Sequence, residues 1–413
     1  MPQYGCIEAN RVLILSTALS GGGAEVVARL MVQRFKGANC ILFENDAGVV
    51  LPGNRIWVAS RIYKGGLVVT LLVNLWRLIV IQWVKIKLRP TITISHLEGP
   101  NFANILTFFG GKKILFVHNR ISESYPGRTQ RERLKRGLAR LFYNRADRVV
   151  GVSPGVCREL TESFNVRRSK TSYSPNPIYR SEIGEASSQE YGDFRDQLVA
   201  GEYLISVASL TLQKNHELLL RVYQQLVNDN TKFSTLKLII LGDGELRDAL
   251  HRLSEELGLS VFDMQRDTFT GLEQVYFLGF QADPYRLLSR AKLFLLTSRW
   301  EGLPIALLEA MSLGVPAAIS DCSDGIRETW NAIDRSSREM PSPACCWTSF
   351  GALINSVAHD QRTIKVWTLA VKRLLQDKVL YERCSGACRE RSADFDISRV
   401  VEIWQQELFI RED

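Results

Sequence analysis

The chain has 413 residues, 46% of them hydrophobic and 23% charged, a balance ordinary for a soluble globular protein and long enough for two domains. Its net charge of +8 is uneven: residues 1–180 hold 27 Lys/Arg against 10 Asp/Glu (net +17), the rest 25 against 34 (net −9). The eight cysteines (6, 40, 157, 322, 345, 346, 384, 388) form no CxxC pair, which excludes zinc spacing and argues for a reduced, cytosolic chain without a disulfide framework.

In chain order, residues 12–16 read as a strand, too short for the apolar core of a signal peptide. Gly21-Gly22-Gly23 and a helix over 24–35 follow. Residues 67–88 are apolar, but Asn74, Arg77, Gln82 and Lys85 interrupt them, and Thr70, Asn74, Arg77 and Lys85 trace one narrow helical stripe. A helix covering a sheet accounts for this; a helix dipping into a bilayer surface and a true span are the alternatives. Strands at 91–95, 114–117 and 149–152 continue a βα series, which implies a mostly parallel sheet wrapped by helices.

Between the last two strands, residues 128–148 carry eight Arg/Lys and two acids. Leu134, Leu138, Leu141 and Phe142 share one face, so this is a basic amphipathic helix. A solvated face, an anionic membrane surface or lipid diphosphate, and nucleic acid compete for it. No nucleic-acid module or interleaved stacking aromatics are present, so nucleic acid is not expected as a partner.

Ser174-Pro-Asn-Pro177 breaks the series, and the polar stretch 181–195, poor in strand or helix signals, marks the domain boundary. The second half repeats the alternation, with strands at 204–208, 236–241, 275–278, 293–297 and 317–320. Residues 331–346 read as an irregular insertion. The expected class is α/β: two doubly wound, Rossmann-like domains, 1–180 and 181–390, with 391–413 a C-terminal helix packing back on the first. Two such halves facing each other put a ligand cleft at the carboxyl ends of both sheets.

The most telling stretch is 295–316, LLTSRWEGLPIALLEAMSLGVP. Residues 304–313 read as a helix with Pro304 first and Gly314 as its stop. Being apolar nearly all round, it should be buried, so Glu309, its only charge, needs a partner. Glu301 lies just before it, where backbone N–H groups and the positive dipole end collect anions. Phosphates at the helix end and hydroxyls on the two acids would suit a sugar nucleotide. Elsewhere, Gly242-Asp-Gly244 joins a strand to a helix but lacks the third glycine of a dinucleotide fingerprint. His96 and His118 each follow a strand.

Glu301 and Glu309, separated by seven residues in that setting, resemble the E-x7-E signature of glycosyltransferase family 4, which has the two-domain GT-B fold. The resemblance implies that Glu301 contacts the donor sugar hydroxyls and Glu309 the ribose. Residues 208–216, ASLTLQKNH, resemble the segment where the family sets an Arg and a Lys on the donor diphosphate. Lys214 matches the Lys; Ser209 stands where the Arg is usual. Gly242 and Gly244 would lie under the base, Gly22 and Gly23 would offer N–H groups to the phosphates, and the N–H groups at Gly302 and Leu303 would help neutralise them.

His118 matches a position near the transferred sugar, and His96 would line the acceptor side. The implied activity is retaining transfer of a hexose or N-acetylhexosamine from a nucleotide sugar (UDP before GDP) to a growing, lipid-linked glycan in surface polysaccharide or lipopolysaccharide synthesis. No cofactor or bound metal is expected, and the protein would be peripheral on the inner face of the membrane through 128–148. A degenerate, non-catalytic subunit, suggested by Ser209, and a GT-B sugar-nucleotide epimerase are the competing readings.

Overall fold

The structure is a computed structural model describing residues 11–44, 55–60, 66–229, 231–331 and 341–409. Cys6 and most of the 331–346 insertion lie outside the described residues. Two compact units emerge: Met1–Pro177 with Ser398–Asp413, and Ile178–Ile397.

The first unit is built on β1 (Val12–Ser16), β2 (Asn39–Leu42), β3 (Arg55–Val58), β4 (Ile92–His96), β5 (Lys112–Val117), β6 (Arg148–Gly151) and β7 (Thr171–Tyr173). They form a seven-stranded sheet in the order β3-β2-β1-β4-β5-β6-β7, every neighbouring pair parallel. Strands such as VLILS are apolar without alternation because helices cover both sheet faces. Ile81 and Val84 of the Leu67–Leu88 helix pack on Leu13, Leu15 and Ile41. That helix covers the sheet with the C-terminal part of its polar stripe turned inward, Lys85 fully buried and Arg77 donating to Phe43 O at 3.0 Å, whereas Asn74 is exposed. The Ile397–Phe409 helix closes this unit, with Trp404 fully buried beside Phe35 and its Nε1 donating to Ser174 Oγ at 2.9 Å.

The second unit is built on β8 (Tyr203–Val207), β9 (Lys237–Leu241), β10 (Val261–Asp263), β11 (Val275–Phe277), β12 (Leu293–Leu296), β13 (Ala317–Ser320), β14 (Cys345–Thr348) and β15 (Gly351–Ile354). Their order is β10-β11-β9-β8-β12-β13-β15-β14, parallel except for the β14–β15 hairpin. Trp367, fully buried on the Gln361–Gln376 helix, centres the core on that side.

Several expectations need correction. The polar stretch 181–195 is not irregular: it holds most of the Arg180–Ala186 helix and the start of Arg195–Val199. Strands β2, β3, β7, β10, β14 and β15 are additional to those read from the sequence. Most are edge or near-edge strands of three or four residues, too short for a periodic signal. Leu134 and Leu141 of the Gln130–Phe142 helix are exposed; Ala139, off their stripe, is the residue it buries.

Candidate active site

In each sheet the strand order reverses direction at one place, where loops diverge and leave a crevice at the carboxyl ends. In the second unit that switch lies between β8 and β12. Lys214 follows β8 and Glu301 follows β12, and the structure joins them: Lys214 Nζ donates to Glu301 Oε1 at 2.6 Å. Ser298 Oγ donates to the same oxygen at 2.6 Å. Glu301 is nearly buried, at 4% side-chain exposure, whereas Lys214 keeps 18%. A buried carboxylate is tolerated because both a cation and a hydroxyl meet it. The ammonium has further N–H groups and access to solvent.

The loops around this pair are knitted by backbone contacts. Thr297 Oγ1 donates to Lys214 O at 3.2 Å and Asn215 O at 3.0 Å, Arg299 N to Gln213 O at 2.8 Å, and Gln213 Nε2 to Trp300 O at 2.8 Å. Asn215, in the left-handed conformation at φ 54°, caps the His216–Asn228 helix and accepts from Arg299 Nη2 at 3.2 Å. Ser209 is exposed on the same loop.

The Gly242–Gly244 turn presses on that loop. Gly242 has φ +138°, and a Cβ there would lie 2.0 Å from Ala208 O; one on Gly244 would lie 2.5 Å from Leu210 O. Both glycines are therefore required by loop-on-loop packing, whatever else they touch. Asp243 Oδ2 pairs with Arg247 at 3.3 Å, and Arg247 in turn clamps the fully buried Asp263.

The helix after Glu301 runs Ile305–Ser312, with Pro304 as its N-cap rather than its first residue, and Gly314 at φ +74° ends it. Gly302 and Leu303 are buried just before it. Glu309 is half-buried, not fully buried as its apolar helix implied, and Tyr285 Oη donates to its Oε1 at 3.2 Å. The structure ties Glu309 to Tyr285 and Glu301 to Lys214, so the two acids of the signature have separate surroundings.

In the first unit the switch lies between β1 and β4. Gly22, after β1, is the N-cap of the Gly23–Arg34 helix. His96 ends β4 and His118 follows β5; their rings meet, His96 Nδ1 to His118 Nε2, at 3.0 Å. Both are buried, and Phe116 stacks on His96 with ring centroids 5.0 Å apart. Burial, reinforced by the neighbouring His118, holds His96 well below the usual imidazole range. Burial also lowers His118 to about 3, so the pair is neutral at pH 7.

Ser298, Tyr285 and Asn215 are site residues that motif reading passed over. Ser298 lay within the signature stretch three residues before Glu301, so the hydroxyl was there to be noticed. Asn215 stands beside Lys214 in the 208–216 segment, but its partner Arg299 is 84 residues away, and Tyr285, 24 residues from Glu309, carries no local signal.

Sequence patterns described as "Glycosyltransferase Family 4" and "Glycosyl transferases group 1" match residues 21–182 and 195–389. An uncharacterised glycosyltransferase of Methanocaldococcus jannaschii is 26% identical over 350 residues, covering 77% of this chain and 79% of that protein. The N-acetylgalactosamine-N,N'-diacetylbacillosaminyl-diphospho-undecaprenol 4-alpha-N-acetylgalactosaminyltransferase of Campylobacter jejuni is 28% identical over 308 residues, covering 74% and 72%. Among solved structures, Anabaena Alr3699/HepE in complex with UDP and glucose matches with a TM-score of 0.67 at 17% identity, covering 97% of this chain and 98% of that one. Sucrose-phosphate synthase of Thermosynechococcus elongatus matches with a TM-score of 0.72 at 15% identity, covering 97% and 99%. Two parallel α/β sheets, both sequence patterns and these relatives define a glycosyltransferase of GT-B fold. Within that class the chain belongs to the family 4 type.

Proposed function

We propose that this glycosyltransferase moves a hexose or N-acetylhexosamine from a nucleoside diphosphate sugar, UDP before GDP, to a growing lipid-linked glycan, with retention of configuration and without a metal. The observation that carries the reading is the Lys214–Glu301–Ser298 cluster at the β8/β12 switch. The Campylobacter relative's name, a transfer onto a diphospho-undecaprenol-linked sugar, supports the acceptor class. A Salmonella typhimurium lipopolysaccharide 1,6-galactosyltransferase, 34% identical over 96 residues, supports a role in surface polysaccharide synthesis.

The difficult step is loss of a diphosphate while an oxocarbenium-like sugar forms. The bond from the anomeric carbon to the leaving phosphate oxygen breaks, and the acceptor hydroxyl bonds from the same face. Its proton passes to the departing phosphate, so no separate base is needed. Lys214 can keep one N–H on Glu301 and turn the others to the diphosphate, joined by the N–H groups at Gly302 and Leu303 and the dipole of the Ile305–Ser312 helix. Glu301, held in place by Lys214 and Ser298, would orient the sugar hydroxyls. Glu309, steadied by Tyr285, would take the ribose. Gly242 and Gly244 are assigned to the base and Gly22 and Gly23 to the phosphates.

His118 is assigned to the neighbourhood of the transferred sugar and His96 to the acceptor side. Their neutrality fits hydrogen bonding rather than charge. The protein would work at the inner membrane surface, with the basic 128–148 segment on anionic headgroups. Transfer of labelled sugar from UDP-sugars to a lipid diphosphate-linked acceptor tests the reading. Nucleotide binding without turnover would favour the degenerate subunit that Ser209 suggests, and donor isomerisation without any acceptor an epimerase.

A further inference from the structure

A surface helix in a water-soluble domain turns its apolar stripe to the core and its charges to solvent. The Leu67–Leu88 helix buries Ile81 and Val84 but leaves a second apolar face on its outer side. Val68, Leu72, Leu75, Ile79, Trp83 and Ile86, spaced by three and four, form one ridge along about 27 Å of helix, and each is more than half exposed. Trp76 flanks the ridge and is equally exposed, and no charged residue interrupts it. Two of its cations, Arg77 and Lys85, turn the other way. Arg77 is committed to Phe43, and Lys85 Nζ donates to Asn104 O at 3.2 Å and Asn104 Oδ1 at 2.9 Å.

A second apolar element is fastened to this helix. Gln82 holds the backbone of Phe108 from both sides, accepting from Phe108 N at 2.8 Å and donating to Phe108 O at 3.3 Å. Phe108 and Phe109 are each more than two-thirds exposed. Phe109 is kept at φ +59°, a conformation that bulky residues seldom adopt. The sequence around this face is basic, residues 55–116 containing nine Lys/Arg and one acid, Glu98, and three of the cations are exposed near the helix end and Phe109. Lys87 lies 4.8 Å over the Trp83 ring, Arg89 follows the helix end, and Lys112 comes three residues after Phe109; all three are exposed.

We propose that this face docks the protein on an anionic lipid bilayer. The helix lies in the headgroup plane with its ridge among the acyl chains, Phe108 and Phe109 enter beside it, and Lys87, Arg89 and Lys112 meet lipid phosphates. A span is incompatible with the inner face, which is fixed to the sheet through Ile81 and Val84. A second copy is disfavoured by charge, since a self-paired face would set Lys87, Arg89 and Lys112 against their own copies, with no acid among the described residues named on this face to meet them. The inference deepens the membrane part of the proposed function and rests on it. It moves the apolar anchor from the basic helix to this one.

The test is co-sedimentation of the full chain with phosphatidylcholine/phosphatidylglycerol vesicles at physiological salt. L72Q/L75Q/I79Q should lose at least ~10-fold in vesicle affinity, because three anchoring side chains leave the acyl layer. Its melting temperature should not fall, since those side chains are exposed. Vesicles with brominated acyl chains should quench Trp fluorescence in the wild type and markedly less in W76F/W83F. If L72Q/L75Q/I79Q binds like wild type while R131Q/R133Q/R136Q does not, this inference fails and the basic-helix reading stands. If the wild type ignores the vesicles, the membrane reading fails and this inference with it. A wild-type dimer that L72Q/L75Q/I79Q dissociates, without vesicle binding, would identify a second copy as the occupant and overturn the proposal.

Discussion

The two units place functional candidates at the same topological position, the carboxyl ends of strands at or beside the switch point, and equip them in opposite ways. After β4 and β5 stand two buried, neutral histidines that share one hydrogen bond, His96 Nδ1 to His118 Nε2. After β8 and β12 stand a lysine and a glutamate, an opposite-charge pair whose cation retains solvent access. A crevice is a general property of such sheets; the charge put into it decides what it can stabilise. A developing diphosphate needs a cation with free N–H groups, and among the predicted site residues only the second unit's set supplies one. The proposed function assigns the neutral histidine pair to an uncharged sugar.

Removing the charge from the second unit should produce the largest effect. Glu301→Gln keeps the shape and the Ser298 contact but leaves Lys214 without its carboxylate, and transfer should fall by ~10²–10³-fold, measured as kcat/KM with a UDP-sugar. Full activity in this variant would make the cluster structural. Lys214→Met should weaken binding of the nucleoside diphosphate by ~10–100-fold in calorimetry, the size of a charge-assisted hydrogen bond to phosphate.

The first unit should reveal itself through pH. His96 and His118 are held by burial below their unfolded pKa near 6.5, and His216 of the second unit, lowered to about 3, adds to the same slope. Below ~6.5 the unfolded chain takes up protons that the folded chain refuses, so stability falls as pH drops from 7 toward 4, by up to ~1.4 kcal/mol per pH unit for each histidine. Denaturant midpoints at pH 7 and 5 measure this. Replacing His118 by Asn should flatten the slope, whereas an unchanged slope would mean that the pair is not held neutral. The smallest effect belongs to Ser209→Arg. Adding an exposed cation beside the diphosphate loop should tighten UDP binding only ~2–5-fold, in keeping with the small energies of exposed ion pairs.

Much of this was legible in the chain itself. The alternation of apolar runs and helices outlined both sheets, and the 295–316 stretch located Glu301 and its helix. The contact between Lys214 and Glu301 was not, because 87 residues separate them and only the adjacency of β8 and β12 brings them together. The same holds for His96 and His118, joined by the β4–β5 register. The polar stripe on residues 67–88 could be seen, but its direction could not. Periodicity locates a stripe on a helix and says nothing of which side meets the sheet. Glu309 departs from its expected burial for a related reason: an apolar helix is buried on average, yet one position can still border open space.

Thermal unfolding in the presence of UDP, GDP, ADP or NAD, on wild type and Glu309→Ala, addresses the central claim most directly. A nucleotide-sugar site predicts a raised melting temperature with one nucleoside diphosphate, UDP first, equivalent to ~2.7 kcal/mol at a hundredfold excess over Kd and diminished in the variant. Stabilisation by NAD alone, or by none of the four, would contradict it.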